Sequence, residues 1–156
     1  MLRRQRVGLI SDTHGLLRPE AVRALQGCDR IIHAGDIGDE EVLAALRHVA
    51  PVTAVRGNVD REAWAENLPG TESVQIGQIL VYVIHDLDAL GLAPEAAGIR
   101  VVVSGHSHRP SIRERKGVLF VNPGSAGPRR FRLPVSLGLL EVQGAAVQAE
   151  TMALEV

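Results

Sequence analysis

The sequence predicts an α/β fold of two packed, mixed β-sheets with helices on their outer faces, in one domain over residues 1–156. In the first half of the chain, short apolar segments alternate with helix-like segments, which favours parallel strands joined by helical crossovers. In the second half, pairs of apolar segments flank glycine-containing turns, which favours antiparallel hairpins. A length of 156 residues suits a single hydrophobic core.

The elements of the first half are predicted from apolar patterns and from the residues that begin helices. Pro19 suits the first turn of a helix because its fixed φ is already helical. Apolar residues at helical spacing continue that helix and form a second one. In chain order we predict a strand at 6–10, a helix at 19–25, a strand at 30–34, a helix at 39–48 and a strand at 52–55.

The second half contains three predicted hairpins and one buried strand. Glycine in each short connection permits the tight turn that a hairpin needs. In chain order we predict strands 73–76 and 79–84 around Gly77-Gln78, a short helix around Pro94, and the strand that begins at Val101. Strands 112–115 and 118–121 follow around Lys116-Gly117, and strands 135–142 and 145–152 around Gln143-Gly144.

Composition excludes several classes of protein. Hydrophobic residues make up 46% of the chain, and no apolar stretch approaches the roughly 20 residues that cross a bilayer. The apolar run behind the basic N-terminus covers only residues 7–10, too short for a signal peptide, so we expect a cytoplasmic protein. The net charge of −1 predicts no global attraction to membranes and no evident nucleic-acid surface.

Polar side chains follow five of the predicted strands at the point where each strand ends. Because the carboxyl ends of parallel strands face one crevice, we expect these side chains to lie together. Carboxylates, imidazoles and an amide, without a thiolate, favour a hard or borderline divalent ion over a structural zinc site. The segments are Ser11-Asp12-Thr13-His14-Gly15, His33-Ala34-Gly35-Asp36, Arg56-Gly57-Asn58-Val59-Asp60, His85-Asp86 and Gly105-His106-Ser107-His108.

The spacing of these residues has a physical reason. On extended or turning backbone, side chains two residues apart point the same way. Asp12 with His14, and His106 with His108, can therefore present two ligands to one ion or one ligand to each of two ions. A lone carboxylate such as Asp36 can bridge two ions.

Each segment also has a structural interpretation when it is taken alone. Asp12 can cap the following helix, and Gly35-Asp36 can mark a turn. Segment 57–60 fits a loop held by hydrogen bonds from side chain to backbone. Two histidines at one strand end are harder to explain structurally, and the five segments in order favour a metal site.

Taken together, these five segments resemble the calcineurin-like metallophosphoesterase family, above all its small prokaryotic phosphodiesterase branch. The resemblance extends to Asn122-Pro123-Gly124-Ser125. It implies a four-layer αββα sandwich in which two mixed sheets are flanked by helices. It also implies a divalent-metal-dependent phosphodiesterase that cleaves a small phosphodiester with a hydroxide bridged between two metal ions.

The resemblance assigns a role to each ligand. It implies two divalent ions per chain, with Mn as the first choice and Fe, Zn, Ni or Mg as alternatives. Asp36, Asn58 and His85 are the residues that we predict to be catalytic. The implied ligands are Asp12, His14 and His108 for the first ion, Asp36 as the bridge, and Asn58, His85 and His106 for the second ion.

Two positions depart from the family pattern. Val59 stands where many relatives carry the histidine that protonates the leaving group, so the acid is unassigned and a phosphomonoesterase or protein phosphatase is less favoured. Asp86 follows His85, where relatives usually carry glycine. A non-catalytic, protein-binding scaffold of the same fold is a further alternative, and a homo-oligomer remains open.

Other polar residues receive weaker predictions. His33 is expected to orient Asp36 or to pack behind it rather than to bind metal. Arg129, Arg130 and Arg132 are expected to form a solvated basic loop, with contact to a substrate phosphate as the alternative.

Overall fold

The computed structural model describes residues 2–156 and confirms the predicted α/β architecture of two mixed sheets. The first sheet has the strand order β10-β9-β1-β2-β3, and the second has the order β4-β5-β6-β8-β7. The elements in chain order are β1 (Arg4–Ile10), α1 (Pro19–Leu25), β2 (Arg30–His33), α2 (Glu40–Arg47), β3 (Val52–Ala54), β4 (Thr71–Ile76), β5 (Ile79–Ile84), β6 (Ile99–Val103), β7 (Ser111–Arg115), β8 (Val118–Asn122), β9 (Ser136–Gln143) and β10 (Ala146–Ala153).

Each of the two sheets contains three parallel strands and two strands that pair antiparallel. Strands β1, β2 and β3 are parallel in the first sheet, and β5, β6 and β8 are parallel in the second. Strands β9 and β10 continue the first sheet in antiparallel pairs, and β4 and β7 form antiparallel edges of the second. Six carboxyl ends of parallel strands therefore supply the loops that carry the polar motifs.

Apolar residues of the first sheet are shared between two faces because strand side chains alternate. Leu9 and Ile32 pack between the sheets against Val101 of the second sheet. Ile10 and Ile31, one residue along, pack under the helices instead. Burying each such side chain contributes about 1.5–3 kcal/mol, so both interfaces stabilise the layered arrangement.

The helix α2 begins where its sequence predicts. The Asp39 side chain accepts a hydrogen bond from the Glu41 N–H at 3.0 Å, and two acidic residues occupy the first turn. Such a cap and its charge complement the free N–H groups of a helix start. Leu43 and Leu46 face inward and are buried in the same cluster as Leu25 of α1.

The outer face of the second sheet differs from the prediction, because no helix forms around Pro94. A 3₁₀ turn at Leu87–Ala89 and a series of turns at 94–98 cover this face instead, with Leu90 packed on Val102 and its neighbours. Only three residues separate Pro94 from Gly98, whose φ of +76° ends the turn. That length is too short for an α-helix to form.

Two predicted hairpin turns are confirmed, and one is displaced. Gly77-Gln78 and Lys116-Gly117 lie between strand ends that pair directly with each other. In the last hairpin Gln143 pairs with Ala146, so the turn is Gly144-Ala145 rather than Gln143-Gly144. The φ of Gly144 is +62°, a conformation that glycine adopts without steric cost. Separately, none of the helices within residues 2–156 has the length and apolar character needed to traverse a bilayer.

Candidate metal centre

Loops from both sheets bring three of the predicted ligands together as a first cluster: Asp12, His14 and His108. The Asp12 Oδ1 atom lies 3.3 Å from His108 Nε2 and 3.9 Å from His14 Nε2. The two imidazole Nε2 atoms lie 3.4 Å apart. A carboxylate and two imidazole nitrogens that converge in this way form a set of donors suited to a divalent cation.

The second cluster consists of Asp36, His85 and His106, with Asn58 beside them. His85 Nε2 lies 3.3 Å from Asp36 Oδ2 and 3.0 Å from Asn58 Oδ1. His106 Nδ1 lies 3.2 Å from the same amide oxygen. Every residue that the sequence predicted for the second ion therefore lies at this point, although its binding of metal stays a prediction.

Asp36 lies between the two clusters. Its Oδ2 atom is 3.8 Å from His14 Nε2 of the first cluster and 3.3 Å from His85 Nε2 of the second. The Val59 N–H donates to the other carboxylate oxygen at 3.1 Å and holds the group in this orientation. A carboxylate that bridges two metal ions has to lie between the other ligands of both ions, and Asp36 lies between the two clusters in this way.

The backbone at the site adopts an uncommon conformation. Asp12, His14, Asp36, His106 and His108 all have φ between +47° and +71°, and only two other non-glycine residues in 2–156 have positive φ. Left-handed backbone costs an L-residue about 1–2 kcal/mol, so the surrounding contacts must hold these residues in place. Strain of this kind clusters at functional sites.

Glycines make the close approach of these loops possible. A Cβ atom at Gly57 would collide with the Asp36 carboxylate, and one at Gly105 would collide with Ser11 and the Asp12 carboxylate. Replacement of either glycine would therefore push the carboxylates out of the clusters.

The first cluster contains a buried oxygen that no protein group satisfies. Asp12 Oδ2 accepts hydrogen bonds from the Ser11 hydroxyl at 2.7 Å and from the His106 N–H at 3.1 Å. Asp12 Oδ1 is buried and has no hydrogen-bond partner within residues 2–156. Because a buried carboxylate oxygen is rarely left unpaired, this atom and its two facing imidazoles fit a bound cation.

His85 is oriented by the main chain of the neighbouring sheet. Its Nδ1 lies 2.7 Å from the Ala34 carbonyl oxygen, which can only accept a hydrogen bond. The proton of the neutral ring is therefore on Nδ1, and the Nε2 lone pair faces Asp36. The adjacent Asp86 does not displace it, because the Asp86 carboxylate accepts from the Asp88 N–H and lies 3.9 Å from His106 Nε2.

Burial and mutual charge set the titration of the two clusters. Burial raises the pKa of Asp12 above its ordinary value, against the opposing effect of its hydrogen bond with Ser11. Burial would also raise the pKa of Asp36, but His85 and the Val59 N–H hold it below its ordinary value. For the imidazoles, burial lowers the pKa of His108. Burial also acts to lower the pKa of His85, but Asp36, the Ala34 carbonyl and Asp12 together raise it above its ordinary value.

His33 packs behind the site and makes no hydrogen bond to Asp36. The Gly35 N–H donates to His33 Nδ1 at 3.1 Å, so Nε2 carries the proton and donates to Thr13 Oγ1 at 3.0 Å. Burial lowers the pKa of this imidazole to about 3, which keeps the ring neutral. His33 thus joins the loops that follow β1 and β2. The prediction that it packs behind Asp36 is confirmed, and the alternative that it orients Asp36 through a hydrogen bond is wrong.

Three anchoring residues were not predicted from the sequence. The Asp60 carboxylate accepts hydrogen bonds from the N–H groups of Ile37, Gly38 and Gly57 at 2.9–3.1 Å, which ties the Asp36 loop to the Asn58 loop. The Asn122 amide donates to the Gly105 carbonyl at 2.9 Å, and the Ser125 hydroxyl donates to the Asp12 carbonyl at 3.0 Å. Their motifs were visible in the sequence, but their partners were not.

Two sandwiched sheets whose parallel strands end in paired clusters of carboxylates and imidazoles define the class of α/β sandwich metallohydrolases. A sequence profile of the calcineurin-like phosphoesterase superfamily domain matches residues 6–145. The chain belongs to the calcineurin-like phosphoesterase superfamily, as the resemblance implied.

Individual relatives agree with this membership. A protein of Methanothermobacter thermautotrophicus described as a probable metallophosphoesterase is 37% identical over 155 residues, which cover 92% of this chain and 90% of the relative. A phosphodiesterase of Methanocaldococcus jannaschii is 26% identical, with 88% of this chain and 93% of the relative covered. The structure of vacuolar protein sorting 29 from Cryptosporidium parvum superposes with a TM-score of 0.78 at 20% identity, over 96% of this chain and 98% of the other, and shows the shared fold.

Proposed function

We propose that residues 1–156 form a single domain that hydrolyses phosphodiesters with the help of two divalent metal ions. The position of Asp36 is the observation that carries this proposal. Its Oδ2 atom lies within 4 Å of an imidazole from each cluster, as two ions that share one carboxylate would require. Membership of the phosphoesterase superfamily supports the same chemistry.

The residues of the two clusters fit two ions. Asp12, His14 and His108 would hold the first, Asn58, His85 and His106 would hold the second, and Asp36 would be shared. When bound, two divalent ions lower the pKa of a water between them and neutralise charge on the phosphoryl oxygens. The mixed oxygen and nitrogen ligands make Mn²⁺ the first ion to test.

Hydrogen bonds within the protein hold one polar atom of three predicted ligands, Asp12, Asp36 and His85, and leave another atom facing the site. Ser11 and the His106 N–H occupy Asp12 Oδ2, so Oδ1 is left to face the cluster. The Val59 N–H occupies Asp36 Oδ1 in the same way, and the Ala34 carbonyl fixes His85. Ligands that are held before metal binds need little rearrangement, and this supports a preorganised catalytic site.

Two features of the surroundings support a diester rather than a monoester. Val59 places an exposed apolar side chain, not an imidazole, on the loop that carries Asn58. Cavities open on both sides of His106 and Asp86: one continues past Arg113 and Phe120, and the other past Arg56 and Thr71. Each cavity gives one substituent of a diester a place to lie.

Neither Asp60 nor Asp86 donates a hydrogen bond at the site. Both Asp60 oxygens accept backbone N–H groups, so this residue acts as an acceptor. Asp86 has one oxygen on the Asp88 N–H and the other directed toward His106. We infer that the leaving group departs as its anion or takes a proton from water, and that good leaving groups are favoured.

The test is hydrolysis of bis(4-nitrophenyl) phosphate and 4-nitrophenyl phosphate by the same metal-loaded preparation. We expect Mn²⁺-dependent cleavage that favours the diester, two ions per chain by elemental analysis, and loss of activity after chelation. Faster cleavage of the monoester would support a phosphomonoesterase instead. Full metal occupancy without cleavage of either ester would support a non-catalytic scaffold.

A further inference from the structure

One aromatic side chain is exposed to an unusual degree. Phe131 is 89% exposed, whereas the next most exposed large apolar residue, Leu2, is 54% exposed. Leaving an aromatic ring in water forgoes most of the favourable free energy of its burial. An apolar side chain in this position needs an explanation other than packing within the chain.

The backbone around Phe131 does not explain its identity. The Leu133 N–H donates to the Arg130 carbonyl at 3.1 Å, which closes a turn with Phe131 at its second position and a φ of +55°. Turn positions with positive φ favour glycine, asparagine or aspartate, and a bulky residue is strained there. The turn would form more readily without the aromatic ring, so the ring itself is the feature that needs a role.

The ring is surrounded by unpaired positive charge. Arg129, Arg130 and Arg132 flank it in the sequence and are exposed, and Arg109 lines the same open groove as Phe131 and Arg132. Within residues 2–156 none of these four arginines lies within ion-pair distance of a carboxylate. The chain as a whole has a net charge of −1, but four cationic side chains are concentrated around Phe131.

This surface follows, in the chain, residues that pack on or belong to the first cluster. Gly127, just before it, packs so closely on the Asp12 and Thr13 carbonyls that a Cβ atom would not fit. Arg109, which lines the groove beside Phe131, directly follows His108 of the first cluster. Gly127 and Arg109 therefore place the two ends of this surface next to backbone that carries the first cluster.

We propose that the arginine-rich turn, residues 129–132 with Arg109, binds single-stranded nucleic acid as the substrate of this site. Phe131 stacks on one base, and the arginines contact the phosphates beside the phosphodiester at the metal centre. Aromatic rings that stack on bases within a positively charged groove are the recurrent means of holding single strands. This inference rests on the proposed phosphodiesterase function and names its substrate class.

Charge complementarity and the neighbouring phosphodiester site favour this ligand over an anionic membrane. A membrane-binding surface needs an extended apolar face, and here one ring stands among four charged side chains. A single-stranded nucleic acid would contact every part of this surface. A base would stack on the ring, phosphates would contact the arginines, and a phosphodiester bond would lie at the catalytic site.

The first experiment measures binding without catalysis. A fluorescein-labelled oligothymidylate of about ten nucleotides, within the usual range of single-strand site sizes, is titrated with the protein in excess chelator and followed by anisotropy. Phe131→Leu keeps an apolar side chain but removes the ring, and we expect roughly a tenfold or greater loss of affinity. Phe131→Tyr keeps the ring and should bind like the parent.

Arginine variants test the phosphate contacts. Arg130→Ala should make the slope of log affinity against log salt shallower by about 0.7, the change expected for one lost contact to a single strand. Arg47→Ala, at the exposed end of α2, is the matched control and should leave both affinity and slope unchanged. Equal affinity of the parent and Phe131→Leu, or a preference for anionic lipid vesicles over the oligonucleotide, would overturn the proposal.

A second experiment separates this proposal from the proposed function. Methyl 4-nitrophenyl phosphate carries no base and no second phosphate, so Phe131→Leu should cleave it at the parental rate while cleaving the oligonucleotide more slowly. An equal reduction for both substrates would contradict a substrate-binding role for the turn. Failure of every variant to cleave the small ester would contradict the proposed function, and the binding measured in chelator would still decide whether the turn binds nucleic acid.

Discussion

The two clusters of the metal centre use similar residues but differ in their access to solvent. In the first cluster Asp12 and His108 are buried, and Asp12 Oδ1 and His108 Nδ1 have no hydrogen-bond partner among residues 2–156. In the second cluster the His106 side chain is 48% exposed and lies between two cavities. The first cluster is suited to retaining an ion, and the second to presenting an ion to a substrate.

The anchoring of the ligands explains this difference. The first cluster is surrounded by contacts that link distant parts of the chain, such as Ser125 to the Asp12 carbonyl and the His106 N–H to the Asp12 carboxylate. The His106 ring lies at the exposed edge of the second cluster, with Nδ1 3.2 Å from Asn58 Oδ1 and Nε2 3.9 Å from Asp86 Oδ2. Two clusters with the same types of ligand can therefore differ in role. On the proposed function, we expect the first cluster to retain its ion and the second cluster to place its ion beside the substrate.

Asp36→Asn should have the largest effect, because it removes the carboxylate whose Oδ2 atom lies between imidazoles of the two clusters. A neutral amide would no longer offset the repulsion between two cations, so we expect turnover of bis(4-nitrophenyl) phosphate to fall by about three orders of magnitude or more, roughly 4 kcal/mol in barrier. Circular dichroism should show an unchanged fold. Turnover within about tenfold of the parent, or 1.4 kcal/mol, would exclude the bridging role.

Val59→His tests the leaving-group side of the second cluster. General acids typically contribute about 10²–10⁴-fold and matter most for poor leaving groups. The parent should therefore cleave aryl diesters much faster than alkyl diesters, and the variant should reduce this difference and raise monoester hydrolysis relative to diester. The measurement is a series of aryl and alkyl esters in the same metal and pH. A parent rate that is insensitive to leaving-group pKa, with chemistry shown to be rate-limiting, would mean that another residue supplies the proton.

His85→Ala and His108→Ala form a matched pair that removes one buried imidazole from each cluster. Each variant should bind nearer one ion per chain than two. Because the first cluster is the more enclosed, the ion that remains in His85→Ala should be lost to a chelator more slowly than the ion that remains in His108→Ala. Elemental analysis and stopped-flow chelation measure these quantities. Two ions in His85→Ala, bound with parental affinity, would remove His85 from the ligand set.

His33 is expected to have the smallest effect, which concerns stability rather than chemistry. Its pKa is about 3 in the folded chain and close to 6.5 when unfolded, because burial disfavours the charged ring. Between these values the unfolded chain binds the extra proton, so the free energy of unfolding falls as pH is lowered from 6.5 toward 3, by at most about 1.4 kcal/mol per unit. Stability contributed by the neutral ring is fully present above pH 6.5.

Denaturant unfolding in chelator between pH 4.5 and 7.5 measures this effect. His33→Gln, which can also accept from Gly35 and donate to Thr13, should show a shallower decline than the parent. His48→Gln, at the exposed end of α2, should follow the parent. A decline in His33→Gln as steep as that of the parent would assign the pH dependence to other groups.

Patterns within single segments were sufficient to predict most of the fold. Apolar strands followed at once by glycine and polar residues predicted both sheets and the segments that carry all seven candidate ligands, and Pro19 with apolar residues at helical spacing predicted α1 and α2. The errors were also local. The helix around Pro94 was too short to form, and the last hairpin turn was displaced by one residue because only the pairing of Gln143 with Ala146 sets its register.

The sequence by itself therefore determined which residues could bind metal, because that chemistry belongs to the side chain and its neighbours in the chain. Only the tertiary structure decided that Asp36 lies between two clusters, that Asp60 joins two loops, that His33 faces Thr13, and that Phe131 stands in solvent beside the site. The contacts that decide these features join residues 20 or more positions apart, such as His33 with Thr13, His108 with Asp12 and Asp60 with Ile37. The physical reason is that local propensity carries no information about which distant strands pack together, whereas packing of the two sheets brings their strand ends to one edge.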